Sequence, residues 1–177
     1  MGGEIGVESE EGKGALFWFT ACFETPGAKT MTVSSRRLGQ TVNRAVGQNT
    51  RILLAEDDDA CQKVALGMLS KLGVSAEIAV NGKEAVSALE TSGFDLVFMD
   101  VQMPEMDGLE ATRHIRGLNS RISNPDIPII AMTAHALKGD REKCLDVGMN
   151  DYISKPLSTK ALVDALDKWL PQEDKAL

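Results

Sequence analysis

The chain has 177 residues, a formal net charge of −7 and 43% hydrophobic residues, so it can bury a core but offers no basic surface for nucleic acid or an anionic membrane. Cys22, Cys61 and Cys144 form no CxxC pair, and His114 and His135 are the two histidines, which argues against a disulfide framework, a zinc site or a histidine-based triad. No apolar run is long enough to span a bilayer and the first residues do not resemble a signal peptide, so a soluble, cytoplasmic piece is expected, with any membrane anchor of a parent protein lying elsewhere.

Residues 3–23 alternate as two strands of a hairpin: Ile5 and Val7, then Ala15, Phe17, Phe19, Ala21 and Phe23, reversing through Glu10-Glu11-Gly12-Lys13-Gly14. A lone hairpin is marginal in water, so this one is expected to dock on something or to be a remnant. Residues 24–49 are rich in Thr, Ser, Gly and Gln and read as a linker. From Arg51, short apolar runs (52–55, 76–80, 96–99, 127–132, 152–153) alternate with segments of helical period. The first helical segment sets Cys61, Val64, Ala65, Met68, Leu69 and Leu72 on one face and stops at Gly73. Others run from Gly82 to about Glu90, from Gly108 to about Leu118, and from about Leu137 to Val147, stopped by Gly148. The last runs from Ser158, a cap candidate, to Leu170, with Pro171 beyond it. Five repeats of strand then helix predict an α/β fold, a doubly wound parallel sheet whose strands are buried on both faces.

Ligands of such sheets bind outside the carboxyl ends of the strands. Glu56, Asp57, Asp58 and Asp59 follow the first strand, Asp100 the third, Thr133 the fourth, and Lys155-Pro156 the fifth. Singly, each has an ordinary explanation: a solvated acidic loop, a helix cap, a turn residue, a strand hydroxyl, a surface lysine. Jointly they describe carboxylates crowded on one partly buried edge, which repel unless a cation joins them. Mg²⁺ suits a few carboxylates with waters and a phosphate. Asp100 is then a carboxylate nucleophile able to form an acyl phosphate, with Lys155 and Thr133 meeting the phosphoryl oxygens.

The runs Ile52-Leu53-Leu54-Ala55-Glu56-Asp57-Asp58, Met99-Asp100-Val101-Gln102-Met103-Pro104-Glu105-Met106-Asp107-Gly108, Ile130-Ala131-Met132-Thr133-Ala134 and Asp151-Tyr152-Ile153-Ser154-Lys155-Pro156 resemble those of a response-regulator receiver domain over about 50–172. That resemblance implies a five-stranded sheet of order 2-1-3-4-5, the flavodoxin-like receiver fold. It implies Asp100 as the phosphorylated residue, and Mg²⁺ on Asp57, Asp100 and the Gln102 backbone carbonyl, with Glu56 acting through water. It further implies Lys155 on the phosphoryl group, a cis Lys155–Pro156 bond, and Thr133 with Tyr152 as the switch pair. Gln102 and His135 flank the site, where the family tunes acyl-phosphate lifetime. No organic cofactor is implied. Asp58 departs from hybrid-kinase receivers, which often carry Asn there; it either shifts metal affinity or caps a helix.

Residues 1–23, from Met1-Gly2-Gly3-Glu4-Ile5-Gly6-Val7-Glu8-Ser9 to Gly12-Lys13-Gly14-Ala15-Leu16-Phe17-Trp18-Phe19-Thr20, resemble the last hairpin of a histidine-kinase ATP-binding domain. Hairpin (1–23), linker (24–49), receiver (50–172) and tail (173–177) are in the order of a hybrid sensor histidine kinase. The implied partners are a kinase phosphohistidine domain, in the same polypeptide or another, and a histidine phosphotransfer protein. Nucleic acid and direct membrane contact are not implied. With only Pro171 to Leu177 after Leu170, an attached effector unit is not expected, nor an independent enzyme beyond self-phosphorylation and self-dephosphorylation at Asp100. A P-loop reading of Gly6 to Gly14 fails, since Gly14 stands where Ser or Thr is needed. A pseudo-receiver that binds without phosphorylation, and a phosphatase of the haloacid-dehalogenase type, are the alternatives. The latter wants a second Asp where Gln102 stands.

Overall fold

The computed structural model describes residues 4–10, 14–20, 50–117, 120–134 and 138–170. The expected linker, the tail from 173 and His135 lie outside the described residues.

The hairpin forms one unit. Strand β1 (Ile5–Glu10) pairs antiparallel with β2 (Gly14–Phe19), Ile5 opposite Phe19 and Glu10 opposite Gly14. Trp18 lies across its pair partner Gly6, where any Cβ would sit 2.4 Å from the indole. Ile5 is 83% and Val7 58% exposed, so this two-stranded sheet has a large apolar surface within its own unit.

The second unit alternates strand and helix: β3 (Arg51–Ala55), α1 (Asp59–Lys71), β4 (Ser75–Ala79), α2 (Gly82–Thr91), β5 (Leu96–Asp100), α3 (Gly108–Arg116), β6 (Ile129–Thr133), α4 (Lys138–Asp146), β7 (Asp151–Ser154) and α5 (Thr159–Trp169). The sheet is parallel with order β4-β3-β5-β6-β7, which is the expected 2-1-3-4-5. Side chains alternate along each strand, so its two faces carry separate cores. Leu53, Val97, Met99, Ile129 and Ala131 meet α2, α3 and α4 through Ala85, Leu89, Ala111, Ile115 and Cys144. Ile52, Leu54, Phe98, Ile130 and Met132 meet α1 and α5 through Ala65, Leu69, Leu162 and Leu166.

Two details depart from the sequence reading. The edge strand β4 is not buried on both faces: Ile78 and, just beyond the strand, Val80 are each 41% exposed, and no strand flanks β4 on its outer side. Val64 is 51% exposed. Ala65 and Leu69 of the expected stripe are buried and Met68 and Leu72 pack partly against the same core, and Gln62 joins them as a buried polar residue.

The loops at the carboxyl edge of the sheet are fixed by helix caps. Asp58, Asn81, Asp107 and Ser158 each accept a backbone N–H three residues on, at 2.8, 2.9, 2.7 and 3.2 Å. Asp58 is therefore a cap, the second of the two roles open to it, and the hydrogen bond from the Cys61 N–H holds its carboxyl below the usual aspartate range. Gly73 and Gly148 end α1 and α4 at φ 77° and 99°, as expected of left-handed stops.

Candidate functional site

Parallel register decides which residues meet. Ala55 lies beside Met99, Asp100 beside Met132, and Thr133 beside Ser154. The residues ending or following β3, β5, β6 and β7 therefore emerge along one edge. Gly108 lets the loop after β5 close tightly: a Cβ there would fall 2.1 Å from the Asp100 carbonyl oxygen.

Three acids converge on this edge. One carboxylate oxygen each from Glu56, Asp57 and Asp100 lies within 4.8 Å of the other two. Glu56 is 1% and Asp100 6% exposed, while Asp57 faces solvent. Lys155 Nζ sits 2.6 Å from Glu56 Oε2 and 2.7 Å from Asp100 Oδ2. Toward Asp100 it is aligned as a hydrogen-bond donor. Toward Glu56 Oε2 the contact is ionic, and that buried oxygen has no well-aligned donor. The other Asp100 oxygen accepts the Gln102 N–H at 3.2 Å, and Glu56 Oε1 accepts a long bond of 3.4 Å from the Asp58 N–H.

Burial pushes the Glu56 carboxyl above its ordinary pKa, and the Asp100 charge adds to this; the Lys155 ammonium offsets both only in part. Burial also works against the Lys155 ammonium, but its bonds to Asp100 and Glu56 outweigh that and raise its pKa. With all groups ionised, three carboxylates against one ammonium leave an excess of two negative charges. A small hard dication with oxygen ligands matches that excess. The donor set fits Mg²⁺.

A cavity of about 710 Å³ opens over the acids, its walls including Asp57, Asp100, Gln102, Thr133, Lys143, Cys144 and Lys155. The structure thus brings together Glu56, Asp57, Asp100 and Lys155, with Gln102 and Thr133 in the same cavity wall. Tyr152 is not in that wall; it is half-buried in the α2–α4 core layer, with the Arg141 guanidinium 5.6 Å from its ring centre. The Lys155–Pro156 bond is cis, as the resemblance implied.

Sequence reasoning missed three contributors. Gln62 donates 2.7 Å to the Glu56 carbonyl; an amide at an inward position of α1 was the available signal. Lys143 and Cys144 enter the cavity wall from α4, and nothing in their spacing announced it.

The family model for the response regulator receiver domain matches residues 52–167. The sequence is 36% identical over 183 residues to the aerobic respiration control sensor protein ArcB of Escherichia coli (strain K12), an alignment taking in 99% of this chain and 22% of that sensor. The curated relatives matched along nearly the whole chain are much longer, and it spans 15% and 22% of the length of two of them. Among solved structures, the chain is similar to the receiver domain of sensor histidine kinase PA1611 from Pseudomonas aeruginosa PAO1, which holds a magnesium ion in its active site cleft. The TM-score is 0.61 at 42% identity, covering 68% of this chain and 96% of that one. It is also similar to a chain in the co-crystal structure of the Saccharomyces cerevisiae histidine phosphotransfer protein Ypd1 with the receiver domain of Ssk1. There the TM-score is 0.63 at 33% identity, over 68% and 88% of the two chains. Among the described residues, no helix is long and apolar enough to cross a membrane.

Proposed function

This chain belongs to the response regulator receiver domain family, and on that premise we propose that Asp100 takes a phosphoryl group from a phosphohistidine, with Mg²⁺ beside it, and hands it to a histidine phosphotransfer partner. The single observation that carries the proposal is the convergence of Glu56, Asp57 and Asp100 on one edge with Lys155 bridging two of them.

Asp57, Asp100 and the Gln102 carbonyl would hold the ion directly and Glu56 through water. The ion supplies neutralisation of the acid cluster and of the incoming phosphoryl oxygens. The chain's own residues do the rest. An Asp100 carboxylate oxygen attacks phosphorus in line; the P–N bond to the donor imidazole breaks and its electron pair stays on that nitrogen. The product is an acyl phosphate on Asp100. Lys155 passes from the carboxylate to a phosphoryl oxygen, and the Thr133 hydroxyl donates to another. Thr133 and Tyr152 then act as the switch pair: the hydroxyl moves toward the phosphoryl group, the aromatic turns inward and leaves Arg141, and the face of α4, β7 and α5 changes. Attack by a partner's histidine on the acyl phosphate runs the same chemistry onward.

The parent is read as a hybrid sensor histidine kinase. Support comes from an alignment with ArcB that includes residues 1–49 as well as the receiver. In that reading β1 and β2 are the last hairpin of the kinase ATP-binding domain, 24–49 is the linker, and the donor histidine belongs to the same polypeptide. The resemblance to the receiver in the Ypd1 complex supports a histidine phosphotransfer protein as the next carrier.

Intact-protein mass spectrometry after incubation with acetyl phosphate and Mg²⁺ tests the acceptor. One added phosphoryl group is expected, absent from Asp100→Asn and absent with EDTA. A chain that stays unmodified in all three samples, with no fluoroberyllate-dependent spectral change, refutes the proposal and leaves a phosphorylation-independent binding module. Sustained hydrolysis of an unrelated phosphomonoester would instead point to a phosphatase.

A further inference from the structure

Helix α1 packs on the sheet through Ala65 and Leu69, and the third buried position of that face is Gln62, 8% exposed. An amide placed among aliphatic side chains is costly unless its polar atoms are bonded. Its Nε2 donates 2.7 Å to the main-chain carbonyl of Glu56, a buried contact. The Gln62 N–H donates 2.9 Å to the Asp58 carbonyl. From the other side, the Glu56 N–H donates 3.0 Å to the Ala79 carbonyl at the end of β4. The backbone leading into Asp57 is thereby held from the neighbouring strand and from the helix at once.

This matters because Asp57 has no other restraint of its own. Its carboxylate is exposed, and among the described residues no hydrogen bond or ion pair holds it. The peptide between Glu56 and Asp57 is planar. Pinning its carbonyl oxygen fixes the plane, and the plane sets the direction in which the Asp57 side chain leaves the backbone. That direction brings an Asp57 oxygen within 4.8 Å of those of Glu56 and Asp100.

We infer that Gln62 is a positioning residue for the metal site: its side-chain amide aims Asp57 by clamping the Glu56–Asp57 peptide. This rests on the reading of Glu56, Asp57 and Asp100 as the site of a divalent cation. Groups that orient metal ligands without touching the ion typically alter affinity about 10- to 100-fold when removed. Gln62→Met keeps the length and removes the donor, so it should weaken the ion by about 10-fold.

The experiment is a titration of the full chain with Mn²⁺, a paramagnetic stand-in for Mg²⁺, following the free ion by electron paramagnetic resonance. Leu89→Ala, in the buried part of α2 near its C-terminus, serves as a control that loosens the fold at a distance from the acids. One site in the wild type, weakened about 10-fold in Gln62→Met and unchanged in Leu89→Ala, supports the inference. Equal affinity in wild type and Gln62→Met overturns it while leaving the metal site standing. No binding by the wild type overturns the metal reading itself, and the inference with it. Should Gln62→Met fail to fold, the wild type still decides. In an NMR titration with Mg²⁺, the Gln62 side-chain amide signals should shift with the midpoint of the Asp57 backbone signal. Gln62 signals that stay still while Asp57 moves overturn the inference.

Discussion

Helices α3 and α4 follow consecutive strands in the parallel order, cover the same face of the sheet and both reach the cavity above Asp100. They are seated very differently. α3 buries Gly108, Ala111, Thr112 and Ile115. At its far end the half-buried Arg116 guanidinium donates to the carbonyls of Pro125, Ile127 and Gly148 and to Asn150 Oδ1. Among the described side chains of α4, Cys144 alone is buried, and its sequence Lys138-Gly139-Asp140-Arg141-Glu142-Lys143-Cys144-Leu145-Asp146 has little to bury. One wall of the cavity is thus anchored by packing and hydrogen bonds, and the other buries little apolar surface among its described side chains. Elements with little buried apolar surface open at the lowest free energy and are the ones free to move in switching. Asp100 ends the strand that leads into α3, whereas Tyr152 meets α4 through Arg141. That division suits a site that must keep its ligands fixed while relaying occupancy to a distant face.

The contrast can be broken by substitution. Ile115→Ala should cost about 4 kcal/mol in denaturant unfolding, since a fully buried side chain leaves a cavity. Cys144→Ala should cost only about 1 kcal/mol. Similar losses at the two sites would contradict the asymmetry. Gly108→Ala should cost about 3 kcal/mol, because its Cβ would meet the Asp100 carbonyl oxygen and backbone must shift; it should also weaken divalent-ion binding, which Cys144→Ala should leave intact. Hydrogen exchange sharpens the same comparison without a mutation, with α4 amides expected to exchange well before those of α3.

A smaller effect concerns the start of β7. Asp151 accepts from Lys168 Nζ at 2.6 Å and from Trp169 Nε1 at 3.1 Å. Burial opposes the charge, but these bonds outweigh it and hold the carboxyl below the ordinary aspartate value of 3.8. A carboxyl depressed in the folded state contributes stability that is full above the unfolded value and fades as pH falls through the folded one. Asp151→Asn should therefore be less stable than wild type by about 1 kcal/mol at neutral pH. The gap should close below about pH 3.8; a gap constant from neutral to acid pH would mean the charge is not what matters. Smallest of all, Lys160→Ala removes an exposed i,i+4 pair with Asp164 and should change stability by less than about 0.5 kcal/mol.

Much of the anchored region was legible in the sequence because it is written in short-range chemistry. Continuous apolar runs fixed the buried strands, Asp58, Asp107 and Ser158 stood where helices start, and Glu56, Asp57, Asp100 and Lys155 stood at strand ends. What stayed hidden depends on relations that composition does not encode. Val64, at the margin of the expected stripe, is exposed and Gln62, at the other margin, is buried, because a period of 3.6 leaves the edges of a stripe undecided when polar and apolar residues mix. The open flank of β4 follows from the strand order that the resemblance implied, and no feature of Ala76 to Val80 themselves announces it. Gly108 read as the start of a helix, and only the fold reveals that it makes room for the backbone of Asp100. The walls contributed by Lys143 and Cys144 come from the helix with the weakest pattern of all.

The most direct test of the central claim is to find where the phosphoryl group goes. The chain would be treated with acetyl phosphate and Mg²⁺, reduced with borohydride, which converts an aspartyl phosphate to homoserine, and sequenced by tandem mass spectrometry. Homoserine at position 100 alone, absent when EDTA is present, is the predicted result. Homoserine at Asp57 or Glu56 with Asp100 intact, or none in a chain that binds the ion normally, would contradict it.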